Sequence, residues 1–127
     1  MSECLAQKVK AFNIRVALVE PGVIATPMAQ KILTGQPESA YPQGRPLAAL
    51  FAAFLKDPTS PYVVGEQIRQ IIEGNSGQLR YPAGPHAPRV LKWRTQISDE
   101  EWVSLFGSND EDFVAAVKRG LGLDVTL

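Results

Sequence analysis

The stretch Asn13-Ile14-Arg15-Val16-Ala17-Leu18-Val19-Glu20-Pro21-Gly22 decides how the rest of the chain is read. Residues 14–19 form a nearly continuous apolar, β-branched run. That is the pattern of a strand covered on both faces, as in the centre of a parallel sheet. Glu20-Pro21-Gly22 ends the run, because proline removes a backbone donor and glycine permits a sharp turn at the strand's carboxyl end. Upstream, Leu5, Val9 and Phe12 recur at helical spacing with Gln7, Lys8 and Lys10 off that stripe, which predicts an amphipathic helix over 2–12 ended by Asn13.

Downstream, Met28 to Leu33 offers short helical turns, and Gly35, Pro37, Pro42 and Gly44 then deny regular structure, so 26–46 reads as a long loop. Pro46 opens a helix through Leu55 that is apolar all round and ends at Asp57-Pro58. Ser60 as cap and Pro61 in the first turn start a helix to Glu73, with Val64, Ile68, Ile71 and Ile72 on one face and Gly74 as its stop. Gly77 leads into a short strand, Gln78-Leu79-Arg80-Tyr81, ended by Pro82. Strand, helix and strand in this order predict a right-handed parallel crossover. Beyond Pro88 the pattern is helical. Val90, Leu91 and Trp93 mark one segment, and Ser98 with Glu101 forms a capping box before Trp102, Leu105 and Phe106. A last helix takes Ser108 or Asn109 as cap, buries Phe113, Val114 and Val117, and stops at Gly120.

The fold class is therefore α/β, with two strands and about five or six helices. A strand such as 14–19 needs neighbours on both edges, and the chain supplies one short companion. The remaining strands come either from another chain or, as favoured here, from the front half of a larger α/β domain of which this sequence is the back half. The start inside an amphipathic helix points the same way.

Composition narrows the function classes. The 127 residues carry 13 basic and 13 acidic side chains, so there is no electrostatic footprint for nucleic acid or an anionic membrane. The longest apolar stretch, Leu47 to Leu55, is well short of the ~20 residues of a membrane-spanning helix, and the first ten residues hold no signal-peptide core. A single cysteine, Cys4, has no disulfide partner. These features point to a cytoplasmic setting.

The run from Asn13 through Val23-Ile24-Ala25-Thr26-Pro27-Met28 resembles the late central strand and following turn of classical short-chain dehydrogenases/reductases. The resemblance extends back through Leu5-Ala6-Gln7-Lys8-Val9 and forward to Arg80-Tyr81-Pro82-Ala83-Gly84, about residues 2–84, and more weakly into the carboxyl-terminal helices. It implies the carboxyl-terminal part of a Rossmann-like, doubly wound parallel sheet, incomplete at its amino-terminal side. Residues 1–84 would belong to the NAD(P)-binding domain, with a substrate-loop region at 27–60, and residues 85–127 to a helical extension.

The same resemblance implies NAD or NADP as cofactor and a turn at Pro21, Gly22, Val23, Ile24 and Thr26 that binds it. Pro21-Gly22 would let the backbone approach the nicotinamide ring, the main-chain amide and carbonyl of Ile24 would hold its carboxamide, and the Thr26 hydroxyl would contact carboxamide or pyrophosphate. Ligands of open parallel sheets do sit outside the carboxyl ends of the strands. Met28, Leu33, Leu50, Phe51 and Phe54 would belong to a segment closing over an apolar alcohol or ketone, the competing reading being an ordinary surface loop with one buried helix. The parent enzyme would be a homo-oligomer.

The sequence departs from that family where proton transfer is concerned. The family's proton donor is a tyrosine followed four residues later by a lysine that lowers its pKa. Here Tyr41 is followed by Arg45, Tyr62 by Glu66 and Tyr81 by Pro85. No serine matches the family's catalytic serine, and no three closely spaced glycines form a phosphate loop. No catalytic residue is therefore assigned within this chain, which alone should be inactive. The residue separating NAD from NADP would follow an early strand not present here. His86 lacks a companion His or Cys for a metal site, Trp93 and Trp102 read as packing or oligomer anchors, and the acids at 99–101 and 110–112 suit helix starts. The alternative to an oxidoreductase portion is a non-catalytic remnant that binds or oligomerises through helices 2–12 and 61–73.

Overall fold

The computed structural model describes residues 1–33 and 44–127. Among them the architecture is α/β, with seven α-helices and a two-stranded parallel sheet, consistent with part of a Rossmann-like fold. The expected loop residues Gly35, Pro37, Tyr41 and Pro42 lie outside the described residues.

α1 (Ser2–Val9) continues into a 3-10 turn, Lys10–Phe12, which Asn13 ends in the left-handed conformation at φ 55°. The apolar stripe of this segment is uncovered, with Leu5 and Phe12 both exposed. β1 comprises Leu18–Pro21 rather than 14–19, and it is half-buried rather than enclosed on both faces. The physical reason is the partner's reach. β2 (Arg80–Ala83, shifted from the expected 78–81) pairs Leu18 with Arg80 and Pro21 with Ala83, so 14–17 have no ladder to join. Arg15 turns its guanidinium instead onto the carbonyls at the end of the helix Pro61–Glu73, donating to Ile71, Ile72 and Gly74 and also to Ser76. The long apolar run thus contains a helix C-cap, not a central strand register.

Between the strands lie α2 (Pro27–Leu33), α3 (Gly44–Phe54) and α4 (Pro61–Glu73). α2 is a complete helix where the sequence suggested only turns. Together with the three carboxyl-terminal helices it brings the number to seven. α3 starts two residues before Pro46, which is tolerated within a first turn because its missing N–H has no intrahelical acceptor there. α4 is capped as its sequence dictates: Ser60 Oγ accepts from Tyr62 N, Pro61 opens the helix and Gly74 closes it.

The core lies among the carboxyl-terminal helices α5 (His86–Gln96), α6 (Asp99–Leu105) and α7 (Asp110–Leu121). Trp93, Leu105, Phe113, Val117, Leu121 and Val125 form one buried cluster, joined by Ala53 and Phe54 at the end of α3. Trp93 meets Trp102 edge-on at 5.4 Å, and Trp102 in turn meets Phe106. Both bonds of the Ser98–Glu101 capping box are present. Asn109, not Ser108, caps α7 through Asp112 N. α7 does not stop at Gly120. That residue lies inside the last turn, against the Trp93 indole, and Gly122 at φ 65° supplies the cap.

Candidate functional site

β1 delivers its carboxyl end into a turn whose backbone is tied down on three sides. Gly22 N donates to Ala83 O at 3.1 Å, prolonging the ladder past β2. Ile24 forms a parallel bridge with the buried Thr59, through Ala25 N donating to Thr59 O at 2.9 Å. In this parallel bridge Thr59 bonds to a residue flanking Ile24, not to Ile24 itself. Ile24's own N–H and C=O accordingly make no hydrogen bond among the described residues. Thr26 caps α2, its Oγ1 accepting from Ala29 N at 3.2 Å while its own proton remains available to donate.

This turn forms one wall of an apolar groove of about 550 Å³. Pro21, Gly22, Val23, Ile24 and Thr26 all line it. Opposite stand Met28 and Ala29 of α2, Phe51 of α3, and Pro61, Val64, Gly65 and Ile68 of α4. The size and the lining suit a small apolar molecule flanked by a few backbone polar groups.

All five expected turn residues are therefore gathered at one groove, and of the five substrate-loop residues Met28 and Phe51 join them. Leu33 ends α2, is exposed and lies outside the groove. Leu50 packs against the helical core, and Phe54 is buried within it. Helical geometry separates them: Leu50 and Phe54, four apart on α3, share the face turned to the core, whereas Phe51 is rotated by about 100° from Leu50 and reaches the groove.

The sequence reading missed the contribution of α4. Val64 and Ile68, read only as an apolar stripe at spacing of four, line the groove, whereas Ile71 is buried and Ile72 exposed. It also missed His86. Placed by sequence in a loop, His86 is the first residue of α5 and is buried, with Nδ1 3.3 Å from the Val23 carbonyl oxygen. A Cβ on Gly22 would lie 2.8 Å from both Ala87 N and His86 Cβ. The close approach that requires glycine at this position is thus to the start of α5.

Among the described residues the groove's lining holds no ionisable side chain. Among the described residues no group of three or more His, Cys, Asp or Glu is arranged to hold a metal, and no helix is long and apolar enough to cross a membrane.

Two proteins of Schizosaccharomyces pombe, each named an uncharacterized oxidoreductase, are similar to the chain at 26% identity over 105 residues, 82% of this chain. The match covers 44% of their length, so the chain spans less than half of the curated relatives it resembles. No family model and no solved structure matches it.

Proposed function

We propose that the chain is the carboxyl-terminal part of an NAD(P)-dependent oxidoreductase of the short-chain type, acting on the CH–OH group of an apolar secondary alcohol or on the corresponding ketone. The observation that carries this reading is the turn at the carboxyl end of β1, which leaves the N–H and C=O of Ile24 unengaged beside an apolar groove. One donor and one acceptor on the same residue match the two hydrogen-bonding groups of a carboxamide. The residues present therefore fit the nicotinamide half of the cofactor. Ile24 holds the carboxamide and the Thr26 hydroxyl donates alongside, with Pro21, Gly22 and Val23 forming the wall behind. When bound, NAD(P) supplies the hydride donor or acceptor.

Met28, Phe51, Val64 and Ile68 line the space where the apolar substrate lies and exclude water from it. The proton exchanged with the substrate oxygen belongs to a tyrosine–lysine pair that this sequence does not contain. The oxidoreductase names of the two similar proteins support the reading. The parent enzyme is a homo-oligomer in this reading, with the uncovered stripe of α1 available for contact.

The test uses the chain itself with reduced nicotinamide mononucleotide, NADH and NADPH, followed by amide NMR. All three are expected to shift Ile24 and Thr26 at millimolar concentration with similar affinity, because the adenosine half has no phosphate loop here to bind. Binding that leaves Ile24 and Thr26 unmoved, or no binding at all, would overturn the assignment of the turn.

A further inference from the structure

The imidazole of His86 sits where three elements meet. It opens α5, is 6% exposed, and approaches Val23 O in the turn at 3.3 Å. Its ring lies 4.7 Å from that of Phe54, centroid to centroid, at the end of α3. Phe51, one turn earlier on α3, lines the groove. Residues three apart lie on adjoining turns of one helix, so seating Phe54 fixes where Phe51 projects.

We infer that His86 is the positioning residue of the groove: its Nδ1–H holds the Val23 carbonyl and with it the turn, while its ring seats Phe54 and so sets the apolar wall that Phe51 presents. The inference rests on reading the turn and groove as the cofactor and substrate site. A carbonyl oxygen only accepts, so the imidazole facing it carries its proton on Nδ1. The packing around it is tight, because any side chain at Gly22 would meet the His86 Cβ and the Ala87 amide at 2.8 Å. His86 touches neither cofactor nor substrate in this arrangement. It acts through Val23 on one side and through Phe54 on the other.

His86 is the chain's one histidine, so its ring nitrogens give unambiguous long-range proton–nitrogen NMR signals in the unmodified protein. The expected pattern is the tautomer protonated on Nδ1; the Nε2–H tautomer, or the averaged pattern of a free imidazole, overturns the proposal. Two variants then separate the two contacts. His86→Phe keeps a ring for Phe54 and loses the donor, so binding of reduced nicotinamide mononucleotide falls roughly three- to tenfold while binding of cyclohexanol in the groove is kept. His86→Asn keeps a side-chain N–H for Val23 and loses the ring, so the losses are reversed. Both variants binding both probes as the parent does would also overturn the proposal. If the parent binds neither probe, the site reading fails, and the tautomer together with nuclear Overhauser contacts from His86 to Phe54 still decides what His86 holds. The same two measurements decide the matter if a variant does not fold.

Discussion

At the scale of single residues, two glycines are explained by what stands beside them. A Cβ at Gly120 would lie 2.1 Å from Trp93 Nε1 and 2.2 Å from Cε2. The indole is buried and packs edge-on against Trp102, so it must shift to admit a methyl group. Gly120→Ala is therefore expected to destabilise the chain by about 1–3 kcal/mol, read as a lower urea midpoint. An unchanged midpoint would mean that Trp93 does not occupy this position. Gly22→Ala meets the backbone of Ala87, which has no flexible end to yield, and is expected to cost a similar amount while shifting the His86 ring signals. The sequence showed both glycines, and at Gly22 it even showed a turn. That the crowding came from α5, about 65 residues away, had no local sign, since steric exclusion between distant segments leaves no periodicity.

At the scale of elements, capping was the most legible property of the chain. Ser98 and Glu101, Ser60 with Pro61, and Asn109 all do what local chemistry demands, because a cap is satisfied within three residues of itself. Ser98→Ala is expected to cost about 1 kcal/mol and to lower the melting temperature by a few degrees. Two surface ion-pair groups give α1 and α4 a pH dependence. The hydrogen bond and charge of Arg80 hold the Glu3 carboxyl below its ordinary value of 4.5. Hydrogen bonds from Arg69 and then Gln70 bring Glu66 to about 2. A carboxylate whose pKa is lower in the folded chain stabilises it above the unfolded value, and that contribution is lost as pH falls through the folded value. The α1–β2 tie and the helicity of α4 are thus expected to hold down to about pH 4.5 and to weaken below it, for Glu66 between 4.5 and about 2. Both groups are exposed, so the change is small and shrinks with added salt. Far-UV circular dichroism during acid titration checks it; helix loss beginning near neutral pH would contradict these pairs as its cause. Strand boundaries were less legible than caps, because apolar residues at 14–17 fit a strand only if a neighbour exists to pair with them.

At the scale of the whole molecule, burial is uneven. Among the described residues the largest fully enclosed side chains, Phe113 and Val117, both lie in α7, whereas α1 buries none. Hydrogen exchange is therefore expected to be slowest in α5 and α7 and fastest in α1 and the Lys10–Phe12 turn. Equal protection across the chain would require a cover on α1 that this structure lacks. Phe113→Ala is expected to cost about 3–5 kcal/mol, since its ring also contacts Phe106 within the cluster.

The sequence by itself determined the α/β class, the parallel relation of two strands, the amino-terminal caps at Ser60 and Ser98 and the position of the turn at residues 21–26. Each of these depends on hydrophobic periodicity or on bonds closed within a few residues. Only the tertiary structure decided that β1 begins at Leu18 rather than at Ile14, that Arg15 serves α4, that Val64 and Ile68 face the groove while Phe54 leaves it, and that a buried histidine stands behind the turn. Those outcomes depend on which distant surfaces meet, and an apolar side chain carries the same signal whether it lines a groove, fills a core or remains uncovered.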